Sequence, residues 1–200
     1  MLLLTCLLLS SNLKAQAVSQ GNILLDAYYG APNFGKSVLK NFEGDQVKTS
    51  GIKGLGPMGI RAEYMLADRF GLGIDAIYNS TGMNFSYDSL NNDGSLYRTY
   101  HGTGTMNRIR IHLRFNYHFV STDKLDVYTG VGAGSNTRIW AFKSNDPDFN
   151  EDRVSTTGTL LPVSMRLAIG TRYYFTENIG LNAEIGIGGP LVSAGVSFKF

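Results

Sequence analysis

Cysteine is nearly missing from this chain: the single residue, Cys6, lies in the leading segment MLLLTCLLLSSNLKAQA. Once that segment is removed, neither a disulfide nor a thiol nucleophile remains. A lipid attached at Cys6 is not expected, since five residues make too short a signal ahead of it. Long hydrophobic runs are missing too, and the apolar stretch Met1 to Leu9 cannot span a bilayer as a helix. Basic runs are absent and the net charge is only +2, which argues against a nucleic-acid binder. After Val18 no window carries an apolar 3.6 period, so amphipathic helices are not expected. Charged residues make up 17% of the chain, against 43% hydrophobic residues and 24 glycines. That balance is low in charge and rich in glycine for a soluble enzyme.

The leading segment reads as an export signal. Ala15-Gln16-Ala17 places small residues at −3 and −1, so cleavage is expected before Val18. Residues 1–17 are then a signal peptide and residues 18–200 one mature domain. No Lys or Arg precedes the apolar run, a departure from the usual pattern that a start codon further upstream would explain.

What the mature chain does contain is period-2 alternation. RIRIHLRFNYHF sets Arg108, Arg110, His112, Arg114, Asn116 and His118 against Ile109, Ile111, Leu113, Phe115, Tyr117 and Phe119. The same pattern recurs in NILLDAYYG, GPMGIRAEYMLA, FGLGIDAIYN, LDVYTGVGAGS, LLPVSMRLAIGTRYYF, IGLNAEIGIG and LVSAGVSFKF, giving eight strands. Tight turns at 67–69, 121–124 and 176–178 alternate with long polar connections at 31–55, 80–105 and 136–158. Short turns at one end and long loops at the other are the pattern of a membrane barrel. Asp93-Gly94, a favoured hairpin turn, predicts that the third and fourth strands continue beyond the membrane as a protruding hairpin.

Three features decide which face is wet. Aromatics collect on the apolar face near strand ends, at Tyr29, Tyr78, Tyr117, Phe119, Tyr173, Phe175, Phe198 and Phe200. Glycines such as Gly71, Gly73, Gly130 and Gly132 share the polar face, where a narrow lumen needs room for long side chains. That face also carries both signs. Asp26, Glu63, Asp75, Asp126 and Glu184 are available to Arg61, Arg108, Arg110, Arg114, Arg166, Arg172 and Lys199, a small positive excess. An arginine turned to the bilayer midplane costs about 2–4 kcal/mol, and flipping the fourth strand would expose three. The arginines therefore point inward, with His112 and His118 as hydrogen-bonding partners among them. The expected fold is all-β: an eight-stranded antiparallel up-and-down transmembrane β-barrel.

The signal segment, the eight amphipathic strands and the ending SAGVSFKF resemble the small eight-stranded outer-membrane β-barrel proteins of the OmpX/OmpA type. The resemblance covers Val18 to Phe200. It implies an integral protein of the outer membrane, inserted by the barrel-assembly machinery, with Phe198 and Phe200 as the C-terminal assembly signal. The partners expected are the lipid bilayer and lipopolysaccharide, the latter through Lys36, Lys40, Lys48 and Lys53 in the loops. A monomer with a structural or surface-interaction role is expected. A narrow small-solute channel is the runner-up, and a secreted lipocalin-like barrel holding an apolar ligand the alternative outside the membrane.

Catalysis and metal binding find little support. His101, Ser80 and Asp88 are the residues a hydrolytic site at the outer rim would use, yet no spacing ties them together. NDPDFNED begins like a calcium loop with Asp146, Asp148, Asn150 and Asp152. Glu151 stands where the turn glycine belongs and Thr157 where the bidentate glutamate belongs. No enzyme, cofactor or metal is expected. The loop aromatics Phe85, Tyr87, Tyr97 and Tyr100 are the candidates for a partner surface.

Overall fold

The computed structural model describes residues 16–35, 47–91, 94–150, 156–158 and 162–200. In chain order the strands are β1 (Ile23–Ala31), β2 (Val47–Ala67), β3 (Phe70–Leu90), β4 (Leu96–Ser121), β5 (Leu125–Ser144), β6 (Thr156–Thr157), β7 (Val163–Tyr174), β8 (Ile179–Ile187) and β9 (Val192–Lys199). All pairings are antiparallel. β4 pairs with β5 and β1 with β9, so β1-β2-β3-β4-β5-β7-β8-β9 form a closed ring of eight strands. The short β6 adds to upper β5 at Ile139 and Trp140. At the seam Ile23 and Phe200 exchange backbone hydrogen bonds of 2.9 Å in both directions. Closure matters because an open edge has no partners in hydrocarbon.

Burial alternates residue by residue, as in β1, where every second side chain is enclosed. Inside lie Asp26, Arg61, Glu63, Asp75, Arg114, Asp126, Arg166, Arg172 and Glu184. Outside stand Ile74, Ile111, Leu113, Phe115, Leu167 and Ile185; Leu113 is 59% exposed. A soluble barrel requires the reverse, with its apolar residues enclosed. The exterior here is built for hydrocarbon, and the ligand-holding soluble alternative falls with it.

The turns at 68–69, 122–124 and 175–178 gather at the end of the ring where both chain termini of the barrel meet. Ala17, Val18, Leu24, Met65 and Tyr174 form a small buried cluster there. The Ala17 amide donates to the Thr122 carbonyl (2.6 Å) and Lys199 Nζ donates to the Ala17 carbonyl (2.8 Å), so the residues on either side of the expected cut, Ala17 and Val18, lie at the floor of the barrel in the uncleaved chain.

At the other end β3 and β4 continue as a hairpin around Gly94, whose φ of +82° suits glycine; Asp93 lies outside the described residues. β2 and β5 continue as well, which the sequence did not suggest. In β5, Ile139, Trp140, Ala141 and Phe142 are apolar on both parities, so alternation vanishes. In β2 the register shifts between Ser50 and Lys53 and again between Leu55 and Met58, which scrambles any period of two.

Leu113→Arg at mid-strand is expected to lower the free energy of folding into phospholipid vesicles by about 2–4 kcal/mol. A urea titration of refolding reads this, and an unchanged midpoint would contradict the lipid-facing assignment.

Candidate functional site

The lumen residues reach one another because neighbouring strands set them at the same level. Asp26 on β1 is the register partner of Arg61 on β2, Arg61 of Asp75 on β3, and Asp126 on β5 of Arg172 on β7. Space for the long side chains comes from glycines. A Cβ at Gly130 or Gly132 would press on Arg114, one at Gly71 on the Glu63 carboxylate, and one at Gly170 on the Tyr128 ring.

Arg172 is gripped on three sides. It donates from Nη2 to Asp26 (2.9 Å) and Glu63 (2.8 Å) and from Nη1 to Asp126 (3.1 Å). Its guanidinium carbon sits 4.4 Å from the centre of the Tyr128 ring. Arg61 bridges the two halves of the cluster, pairing with Asp26 (3.1 Å) and Glu184 (3.0 Å). Glu184 also accepts from Arg114 at 2.9 Å and from Arg166. Arg114 reaches Asp75 as well (3.2 Å). His118 lies between Asp126 (Nδ1, 2.7 Å) and Glu63 (Nε2, 2.9 Å), and an acceptor at each nitrogen makes both of them donors. Four guanidiniums and one imidazole thus face five carboxylates, all enclosed. Burying such charges is tolerable only when they are paired to neutrality as here.

Three of the cations read from the sequence, and His112, stand apart from that cluster. His112 hydrogen-bonds Ser164 Oγ (2.8 Å). Arg110 donates to the Gly188 carbonyl (2.6 Å) and Arg108 to Asn136 Oδ1 (2.8 Å), both toward the outer mouth. Lys199 is at the floor, with Nζ 5.0 Å from the Tyr174 ring centre. Tyr28 and Tyr128, which the sequence reading passed over, donate to Asp75 and Glu184 inside the cluster. Their parity gave the signal: Tyr28 is two residues from Asp26, and Tyr128 two from Asp126. Phe198 is half-buried beside Leu25 and Ile179 in the register, and Phe200 is exposed at the seam.

The outer-rim candidates do not converge. Asp88 accepts from Thr99 Oγ1 (2.6 Å) near the hairpin tip. Ser80 lies eight residues further down β3, about 26 Å away at 3.3 Å per residue. Asp146 accepts from the Tyr87 hydroxyl (2.6 Å) and the Asp148 amide (3.0 Å); Glu151 and Asp152 lie outside the described residues. Burial, then the hydrogen bond to Asp146, pushes the Tyr87 phenol above its ordinary range. Phe85, Tyr87 and Tyr100 pack on one another and on Phe142, facing the inside of the upper sheet, so of the four loop aromatics Tyr97 alone stands clear in solvent.

A family model described as an outer membrane protein beta-barrel domain matches residues 15–188. No curated protein matches the chain. Among solved structures, the N-terminal β-barrel domain of Pseudomonas aeruginosa OprF is 18% identical, with 92% of this chain and 100% of that one covered and a TM-score of 0.47. OprG of the same organism is 13% identical over 91% of this chain and 97% of its own, with a TM-score of 0.47. The attachment invasion locus protein Ail of Yersinia pestis is 12% identical over 90% and 99%, with a TM-score of 0.35.

Replacing Glu184 by Gln removes the negative charge that three guanidiniums share and is expected to cost about 3–5 kcal/mol. Glu177→Gln, in an exposed turn, should stay within about 0.5 kcal/mol of the parent. Urea unfolding in vesicles compares them; coincident midpoints would remove the cluster from the stability of the barrel.

Proposed function

The chain belongs to the family of outer-membrane β-barrel domains, and from that premise we propose that this barrel acts at the cell surface as a plugged, non-catalytic interaction protein. It resides in the outer membrane, embedded in the lipid bilayer. The observation that carries the reading is the surplus of strand. β3 has 21 residues, which at about 3.3 Å each and a tilt of about 40° rise about 50 Å. The apolar band of a membrane barrel is only about 25 Å tall. The remainder stands in water as a twisted sheet of β2 to β5, with Met83, Phe85, Trp140 and Phe142 packed on its inner side. Its tip offers Leu90, Leu96 and Tyr97 to solvent, each more than half exposed. Apolar residues kept at the far end of a stiff support suit contact with a partner surface.

The lumen supports the same reading. The ion cluster fills the ring at mid-height, and a path for solutes would have to break pairs that are costly to break. We further propose that the barrel-assembly machinery inserts it through the closing strand with Phe198 and Phe200, that it works as a monomer, and that lipopolysaccharide collars the loop lysines. Lys36 and Lys40 lie outside the described residues, and Lys53 is exposed on β2.

Two measurements test the proposal. An epitope inserted after Gly94 is expected to be labelled on intact cells, whereas one inserted at Asp123 is reached only after the outer membrane is opened. Planar-bilayer recordings of the purified protein should show no steady openings, with or without residues 84–101. Steady openings in either form would replace the interaction reading by a channel.

A further inference from the structure

Among the described residues, charge balance holds at mid-lumen and fails at the outer mouth. Three guanidiniums, Arg108, Arg110 and Arg138, line one recess there together with Asn79 and Gly189. The strands deliver them to one level, since Arg108 on β4 is the register partner of Arg138 on β5 and of Asn79 on β3. None of the three forms an ion pair with a carboxylate among the described residues. Arg110 is only 5% exposed, yet its Nε has no hydrogen-bond partner; the same is true of Arg138 Nε. Three like charges crowded into a half-dry cup repel one another, and buried donors without acceptors cost further free energy.

The cup is preformed. Asn33 bonds the carbonyls of Leu55 (2.6 Å) and Ser80 (2.9 Å), which holds the start of the β1–β2 connection across the mouth as one wall. The recess, open on one side, has a volume of about 60 Å³, room for an ion of a few heavy atoms. Arginine forks suit the edges of a tetrahedral oxyanion, and beyond the bonds from Arg110 Nη1 to Gly188 and from Arg108 Nε to Asn136 the three guanidiniums keep further N–H groups to donate.

We propose that this recess binds one tetrahedral oxyanion, phosphate or sulfate, entering from the outer side. The ion arrives free or as the terminal ester of a larger solute. The chemistry of recognition is shared, and the size of the probe distinguishes the sources.

Purified barrel folded in detergent micelles, dialysed free of phosphate and sulfate, provides the test. Titration calorimetry with inorganic phosphate should give a single saturable site, and phosphate should raise the urea midpoint of unfolding. Glycerol phosphate binding at comparable strength assigns the site to ester end groups, and its failure to bind assigns it to the free ion. Arg138→Gln and Arg108→Gln, both at the half-exposed mouth, should each weaken phosphate about tenfold. The double variant should abolish binding while keeping heat-modifiable migration. Arg69→Gln, in a turn at the opposite end, should leave the affinity unchanged. Absence of saturable phosphate and sulfate binding up to tens of millimolar overturns the proposal, as does an affinity that all the mouth variants retain.

Discussion

A guanidinium enclosed by eight strands must find a carboxylate at its own depth, and in this lumen Asp26, Glu184 and Asp75 meet most of that demand, Asp75 lying within ion-pair distance of Arg61, Arg114 and Arg166. Asp26, from β1, holds Arg61 and Arg172; Glu184, from β8, holds Arg61, Arg114 and Arg166. These pairs join strands that are mostly not neighbours in the sheet, so they brace the ring across its diameter while the backbone ladder braces it around its circumference. The two systems specify the same register. A slip of one residue in β4 would send Arg110, His112 and Arg114 into lipid and bring Ile111 and Leu113 into the ion cluster. The ladder alone would tolerate that slip; the side chains on either face would not.

The same constraint explains where glycine is placed. An eight-stranded ring has an interior only just wide enough for its side chains. Filling one level with Arg61, Arg114 and Tyr128 leaves no volume for a side chain opposite them. Gly130 and Gly170 vacate that space at the cost of some strand propensity. The inner face then changes character with height. It holds an apolar floor around Met65 and Tyr174, an ion layer, an arginine mouth, and an aromatic crown of Phe85, Trp140 and Phe142.

Legibility from sequence followed those layers. The lipid-facing parity and the inward charges were readable because hydrocarbon and a polar lumen impose opposite demands on alternate residues. The spanning part of each strand therefore carries its own signature. Above the membrane both faces of the sheet meet water or each other, the alternation lapses, and upper β2 and upper β5 passed for loop. Tyr28 and Tyr128 escaped for a different reason. Tyrosine is expected on the outer girdle, and only its spacing from Asp26 and Asp126 marks these two as interior. Arg138 escaped because it sits in NTRIWAFKS, where no parity can be assigned.

The small positive excess countable in the sequence is not spread evenly through the lumen. It sits at the two ends, as Lys199 at the floor and as Arg108 and Arg110 at the mouth, joined there by Arg138. Depth accounts for this. At mid-lumen the surroundings are dry, an unpaired charge costs several kcal/mol, and neutrality is enforced. At either end water or a mobile ion can supply the missing partner, so a surplus cation survives. A solute approaching from outside therefore meets positive charge first and a neutral plug behind it. On the proposed reading that order repels cations at the entrance and offers an anion a resting place in front of the paired charges, which suits the mouth to holding an ion.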